Sequence, residues 1–446
     1  MNNRRNFLKT AALSAIGVAA APAYSAAVRD GVPTLHNAAV RDGVPASGFA
    51  FAGMTKDGAE QIQADLLKNL PEIVREDYVA RQEKAREWLV KSNIDALFVE
   101  GGNNLSYFTN TPWWSSERVF GFLLSPHAEM VWICPAFEKA RAEEVIDYGK
   151  DIRVWHEHEG PYSLFADYLK SIGKPGGKIG IDPNARSFVN EGIRRAGGVQ
   201  VVDGSVITEN TRAVKTAKEI QLMDVANRIT KLAFKKGFAQ LHEGMTTGEF
   251  SKIVSQAHTE MGVSGGGGPL FGTNAAFPHG TKFIKTLEQG DVVLVDGGCS
   301  LKGYKSDVTR TAILGKPSDE LKKVYETVWN AQQAAFKAIH NGAICGDVDA
   351  AARKEMAKGG YGADYEYFTH RLGHGIGTEG HEFPYLVRNN KLKMTTGMTF
   401  TNEPGLYLYG KFGVRIEDSL VVTDDGCKIL GGMPCLSMDN ILSDSL

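Results

Sequence analysis

"DVVLVDGGCSLKGYKSDVTRTAIL", residues 291–314, opens as an apolar strand over 291–298, crosses a glycine pair and a polar link, and returns as the strand "VTRTAIL" (308–314). Both runs are rich in β-branched residues, and the link between them is short enough for a hairpin. Downstream, "MTFTNEPGLYL" (398–408) and "GVRIEDSLVV" (413–422) repeat the pattern. Helical patterns lie between and around these strands, near 247–261, 318–341 and 346–358. Hairpin spacing with such helices predicts an antiparallel sheet covered by helices, an α+β arrangement.

These strands carry residues that a core resists. Asp296 closes the first, Asp307 opens the second, Glu403 lies inside "TFTNEPG" and Glu417 inside "VRIEDSLVV". A carboxylate on a core strand is costly unless it is paired or bound to metal. Taken singly, each reads as a salt bridge or a strand-end residue; four in one domain make a different case. A fifth polar group joins them in "HRLGHGIGTEGHEFPYL" (370–386), which holds three of the eleven histidines among Gly373, Gly375, Gly377 and Gly380. Glycines at that density are costly in a helix, so the segment reads as strand or loop whose backbone approaches something closely. If the four carboxylates converge they raise one another's pKa values. Two divalent cations balance their charge, and oxygen-rich ligation with one imidazole suits manganese, cobalt, iron or zinc better than copper. Paired metals also deprotonate water near neutral pH, which points to a dinuclear metallohydrolase.

The motifs "VDGG", "SDVTRT", "GHGIG", "NEPG" and "RIED" resemble those that carry the five metal ligands of the pita-bread metallopeptidases, the creatinase, aminopeptidase P and prolidase family. Their spacings of 11, 67, 29 and 14 residues are most similar to the proline-specific branch. The resemblance covers residues 75–435, weakly in the first half and specifically in the second. It implies a small peptide substrate cut at an Xaa-Pro bond by a metal-bridging hydroxide, with two divalent ions, manganese first, and cobalt, zinc or iron as alternatives. By the same resemblance Asp296 chelates one metal, Asp307 and Glu417 bridge both, and His374 and Glu403 complete the second site. Glu403 is also the implied proton shuttle. His370 and His381 resemble substrate and transition-state histidines, and His279, in "AAFPHGTKF", a further one on an entrance loop. Arg415 resembles a site arginine that supports the acidic cluster or meets a substrate carboxylate; a structural salt bridge is the other reading of it. Phe383, Tyr385 and Arg388 are expected to reshape the pocket. "NLSYFTNTPWWSSERVFGFLLSP" (104–126) resembles a segment whose loops reach a neighbouring active site, which implies a homodimer with Trp113 and Trp114 capping the partner's pocket. Core packing is the rival reading of that pair. The superfamily also includes metal-free creatinase, a dimethylsulfoniopropionate lyase, organophosphate hydrolases and chromatin factors without catalysis. A complete ligand set argues against the metal-free and binding-only members and leaves the lyase and the phosphotriester activity open.

A chain of 446 residues exceeds one ordinary core, so two domains are expected. With 50 basic and 52 acidic residues it has no polybasic footprint for nucleic acid or an anionic membrane. The first 27 residues, "MNNRRNFLKTAALSAIGVAAAPAYSAA", have a charged start, an apolar run too short for a standard span and small residues suited to a signal peptidase. Arg4 and Arg5 before Asn6, Phe7, Leu8 and Lys9 resemble a twin-arginine export signal, which implies a periplasmic or secreted protein, folded before export. A direct repeat, "AAVRDGVP" at 26–33 and 38–45, lies in a leader or linker over 28–70. An amino-terminal creatinase-like α/β domain is expected over 71–204, opening with a helix at 75–94, and the pita-bread domain over 205–446, opening as linker and then long helix. Five scattered cysteines give no zinc knuckle or disulfide framework; Cys427 and Cys435 are the one pair near enough in sequence to join, and buried single thiols are the other reading.

Overall fold

Charged and apolar residues alternate at helical spacing over Arg75–Ser92 (α1), which buries Ala85 and Leu89 and ends at Asn93 in the left-handed region, φ 53°. The computed structural model describes residues 66–68 and 70–436; the export-type start and the repeat lie outside the described residues. After α1 come β1 (Ala96–Glu100), β2 (Gly121–Ser125), β3 (Ala128–Pro135), β4 (Asp151–Trp155), β5 (Lys178–Ile181) and β6 (Gln200–Asp203). Helices α2 (Asn103–Thr109), α3 (Lys139–Val145), α4 (Ser163–Ser171), α5 (Ser187–Ala196) and α6 (Ser205–Ala213) join or follow them. The strands form one mixed sheet in the order β4-β3-β2-β1-β5-β6. β1 and β3 are apolar over most of their length because both faces are covered. Leu97, Val99, Trp132 and Cys134 enter one core, and Ala96, Phe98, Val131 and Ile133 the other.

Two expectations change in this half. The stretch from Ser205, expected as linker, is helix α6, and its Ile207 joins the core of Ala85 and Leu89. The tryptophans separate: Trp113 stacks on Phe120 with ring centroids 3.9 Å apart inside that core, whereas Trp114 is 74% exposed.

Asp182, directly after β5, is buried, with Oδ1 accepting from Asn104 Nδ2 at 2.6 Å and Oδ2 without a partner among the described residues. Burial pushes this carboxyl up to about 7 from 3.8. A folded-state pKa above the unfolded one gives stability that is full below the unfolded value and lost as pH rises through the folded one. Asp182→Asn is therefore expected to gain stability relative to the wild type between about pH 4 and pH 8, by at most about 4 kcal/mol. Urea titrations across that range test it, and a pH-independent difference would contradict it.

The second half begins with a Thr216–Glu219 capping box on α7 (Ala217–Phe238) and a Thr246–Glu249 box on α8 (Thr247–Glu260). Next come β7 (Ser264–Phe271), β8 (Val292–Leu301), β9 (Tyr304–Lys305) and β10 (Val308–Ile313), in the order β10-β8-β7 with β9 on β8. α9 (Asp319–Ala338) and α10 (Cys345–Lys358) precede β11 (Gly373–Gly375), β12 (Glu382–Leu386), β13 (Thr399–Asn402), β14 (Gly405–Leu408), β15 (Phe412–Arg415), β16 (Asp418–Val422) and β17 (Cys427–Ile429). Five of these form the sheet β12-β11-β13-β16-β17, and β14 pairs β15. All strand pairings in this half are antiparallel, as expected. Val293 and Val295 pack in one cluster with Phe234 and Phe250, and Val292 and Leu294 in another with Val324 and Val328. Leu66, Leu67 and Leu70, at the end of the expected leader, are buried in the first of these clusters.

The expected strands 398–408 and 413–422 each divide in two, at Glu403-Pro404 and at Ile416-Glu417. Pro404 has no N–H to continue a ladder. Glu403 and Glu417 therefore stand where the chain leaves one sheet for another, and an isolated bridge from Glu417 to Thr309 ties the sheets together there. Cys427 and Cys435 are unpaired, like the other three cysteines. No described helix is long and apolar enough to cross a membrane.

Candidate metal centre

The strand breaks bring the predicted ligands together. Asp296 projects from β8, Asp307 from the junction of β9 and β10, His374 from β11, and Glu403 and Glu417 from the two sheet exits. Three overlapping trios each place one ligand atom per residue within 4.8 Å of the others: Asp296, Asp307 and Glu417; His374, Glu403 and Glu417; Asp307, His374 and His381. The glycines around His374 serve this approach. A Cβ on Gly373 would lie 2.0 Å from the Thr401 carbonyl, and one on Gly375 2.6 Å from that of Glu382. His374 Nδ1 donates to the Gly375 carbonyl at 3.0 Å, which fixes the tautomer and leaves Nε2 facing Glu403 Oε1 at 3.2 Å and Asp307 Oδ2 at 3.8 Å. Thr401 Oγ1 donates to Glu403 Oε1 at 3.0 Å and accepts the His374 N–H at 3.1 Å.

Electrostatics tests whether cations fit. Burial, then the charge of Asp296, pushes Asp307 well above the usual carboxylate range; burial, then Asp307, does the same to Glu417. Burial also raises Glu403, but the hydrogen bond and charge of His374, together with other nearby positive charge including that of Arg415, more than reverse this and hold it at about 2. Four carboxylates so close cannot all be charged on their own, and an oxygen-rich set with one neutral imidazole matches divalent cations of the manganese-to-zinc group. The residues present fit a pair of them.

Arg415 is buried and four of its five N–H donors are taken. Nη2 donates to Asp296 Oδ2 at 2.7 Å, Nε to Thr309 Oγ1 at 3.1 Å, and Nη1 to the Pro278 carbonyl at 3.0 Å and the Tyr407 hydroxyl at 2.8 Å. Its place is thus to support the acidic cluster. Tyr407 in turn lies 2.8 Å from His370 Nε2, while His370 Nδ1 donates to the Arg371 carbonyl at 2.8 Å. His370 Nε2 is therefore an acceptor of the Tyr407 proton, and burial pushes the imidazole pKa down, keeping it neutral. His381 stacks on His374 with centroids 3.6 Å apart, and desolvation, then the charge of His374, pushes it down to about 4. Arg371 Nη2 lies 3.3 Å from His381 Nδ1. A guanidinium only donates, so neutral His381 carries its proton on Nε2. His279 is exposed on the loop after Pro278. Arg388 pairs with Asp364 at 2.9 Å, whereas Tyr385 lies under the Arg371 guanidinium at 4.4 Å. Sequence reasoning did not single out Tyr407, Thr309, Thr401 or Arg371. A phenol in the apolar run "GLYL" was the one signal for the first, and threonines on strands give none.

An acidic, single-imidazole cluster at the meeting of antiparallel sheets defines a metal-dependent hydrolase. Residues 221–424 match metallopeptidase family M24, and residues 81–214 match the creatinase/prolidase amino-terminal domain. The chain belongs to the pita-bread metallopeptidases of family M24, on the branch that carries this amino-terminal domain. It is 35% identical over 353 residues to a Xaa-Pro dipeptidase of Lactobacillus helveticus, covering 78% of this chain and 95% of that one. Among solved structures, dipeptidase PepE from Mycobacterium ulcerans superposes with a TM-score of 0.74 at 30% identity, over 80% of this chain and 96% of that one. Prolidase from Thermococcus sibiricus gives 0.71 at 34% identity, over 79% and 96%.

Proposed function

We propose that this metallopeptidase hydrolyses Xaa-Pro dipeptides, and that it does so after export through a twin-arginine signal. The observation that carries the reading is the convergence of Asp296, Asp307, His374, Glu403 and Glu417, with His381 stacked against the imidazole. Those five residues would hold two divalent cations, manganese first among manganese, cobalt, zinc and iron, which would supply Lewis acidity and lower the pKa of a bound water toward neutral. Glu403 takes the proton of the attacking water and returns it to the leaving nitrogen. His381 Nε2–H donates to the oxyanion that develops at the peptide carbonyl. Arg415 and Thr309 hold Asp296 and Glu417 in place.

Arg371 favours dipeptides over longer peptides. Its guanidinium sits between Tyr385 and His381, and its remaining N–H groups find no acceptor among the described residues. A free proline carboxylate supplies that acceptor. Arg371→Met is expected to raise KM for a Xaa-Pro dipeptide about 10- to 100-fold, the worth of a charge-assisted hydrogen bond, and to leave the corresponding Xaa-Pro amide within about twofold. Equal effects on acid and amide would contradict this role.

The overall reading is tested with metal-stripped protein reloaded with manganese, cobalt or zinc, on a Xaa-Pro dipeptide and a Xaa-Pro-Xaa tripeptide. Metal-dependent cleavage favouring the dipeptide is expected. Cations bound with no cleavage of either would overturn it in favour of a non-peptide substrate. The exposed Trp114 supports a homodimer in which a second copy covers this segment. Sedimentation that shows a fully active monomer would refute that.

A further inference from the structure

The loop that carries His381 is held from the other domain. Glu382, the next residue, is almost wholly buried, and both its carboxylate oxygens are occupied by cations on the passage between α6 and α7. Lys215 Nζ donates to Oε1 at 2.6 Å, and Arg212 Nη2 donates to Oε2. Arg212, in the last turn of α6, also donates through Nη1 to Glu379 Oε2 at 2.7 Å and to Asn104 Oδ1 at 2.5 Å, and through Nη2 to Thr378 Oγ1 at 3.2 Å. One guanidinium thus spans three residues of the 378–382 loop and α2 of the amino-terminal domain. Strand register makes the consequence local. Glu382 pairs with Gly375, whereas the neighbouring His374 pairs with Tyr385, so a bulge lies between the two site histidines. Bulges re-aim side chains, and this one is pinned at Glu382.

We infer that Arg212 is a positioning residue for the reaction: through Glu382 it sets where His381 stands over the metal centre. The inference rests on the reading of His381 as the group that meets the developing oxyanion. It gives the amino-terminal domain a part in the chemistry beyond covering the site. The planar fork is what the place requires. A lysine keeps the charge opposite Glu382 but cannot reach four acceptors at once.

Arg212→Lys in the metal-loaded protein is expected to lower kcat about tenfold, with KM for a Xaa-Pro dipeptide within about twofold, because a small displacement of a transition-state donor costs rate and not ground-state binding. The same substitution in a His381→Ala background is expected to change kcat by less than about twofold, since groups that act as one unit are not additive. Equal losses in the two backgrounds would overturn the inference, as would an unchanged kcat in R212K. Glu382→Gln, which keeps the side-chain shape but weakens the link to Arg212 and Lys215, runs in the same cycle and decides the matter if R212K does not fold; a loss of about threefold, absent without His381, is expected. A crystal structure of the folded variant gives a readout free of turnover. His381 displaced from its 3.6 Å stacking on His374 supports the inference, and unchanged stacking overturns it. A wild type that cleaves no Xaa-Pro peptide would refute the substrate reading alone.

Discussion

Glu403→Gln is expected to lower kcat on a Xaa-Pro dipeptide by about 10³-fold while the protein stays folded. Positioned acid–base groups are worth about 10²- to 10⁴-fold, and Gln can neither take nor return the proton. The amide keeps the shape of the side chain and the hydrogen bond from Thr401, so the sheet exit at Glu403-Pro404 is preserved. Its neutrality removes one of four crowded carboxylates, and with it part of the repulsion that pushes up Asp307 and Glu417. That relief is outweighed by the loss of the ionised form that the folded protein favours at Glu403, so the metal-free variant is expected to melt lower than metal-free wild type near neutral pH, and the metal-loaded variant gains less from added cation. Parallel kcat measurements, elemental analysis and melting curves with and without manganese separate these effects. A variant that keeps more than about a tenth of wild-type kcat would remove Glu403 from the proton path.

Much of this site was legible because its cost shows in sequence. Acidic residues in "VLVDGG" and "VRIEDSLVV" stand out against β-branched neighbours, and the glycines around His374 announce a backbone pressed against another strand. What the sequence hid has physical reasons. The strand Ser264–Phe271, "SGGGGPLF", lacks every compositional sign of a strand. Its glycines are needed because a Cβ on Gly267 would meet Phe234 and Val295 at 2.9 Å, and one on Gly265 would meet Cys299 and His258 at 2.6 Å. The breaks at Glu403 and Glu417 were hidden because a strand that changes sheets keeps an apolar pattern on both sides of the change. Arg212 and Glu382 lie in stretches expected as linker and as strand or loop, and only the docking of two domains buries them as a pair. Long-range pairing of this kind leaves no periodicity in either segment.

The largest stability loss is expected where such pairing is tightest, at Asp418, the neighbour of Glu417. Its side chain is fully buried, and Oδ1 receives both Lys231 Nζ at 2.7 Å and Arg310 Nη2 at 2.8 Å. Burial raises its pKa, but Arg310 and Lys231 outweigh this and hold it below 3.8, so its contribution is present above that pH and lost only as pH falls through the folded value. Lys231 also donates to the carbonyls of Leu430 and Gly432, and Arg310 to those of Glu417 and Met433. One carboxylate thus anchors α7, β10 and the segment after β17 to the strand that leaves the metal centre. Asp418→Asn leaves two cations buried against a neutral amide, and removing one partner of such a pair costs about 3–5 kcal/mol. A lower urea midpoint with unchanged slope is expected near neutral pH, with the difference from wild type shrinking below about pH 4, where Asp418 itself takes up a proton. Because Asp418 faces away from the ligands that its neighbour Glu417 joins, the folded fraction is expected to keep kcat within about tenfold. A loss below about 1 kcal/mol would mean that Lys231 sheds its proton without cost, an outcome that burial of its ammonium favours and the attraction of Asp418 opposes.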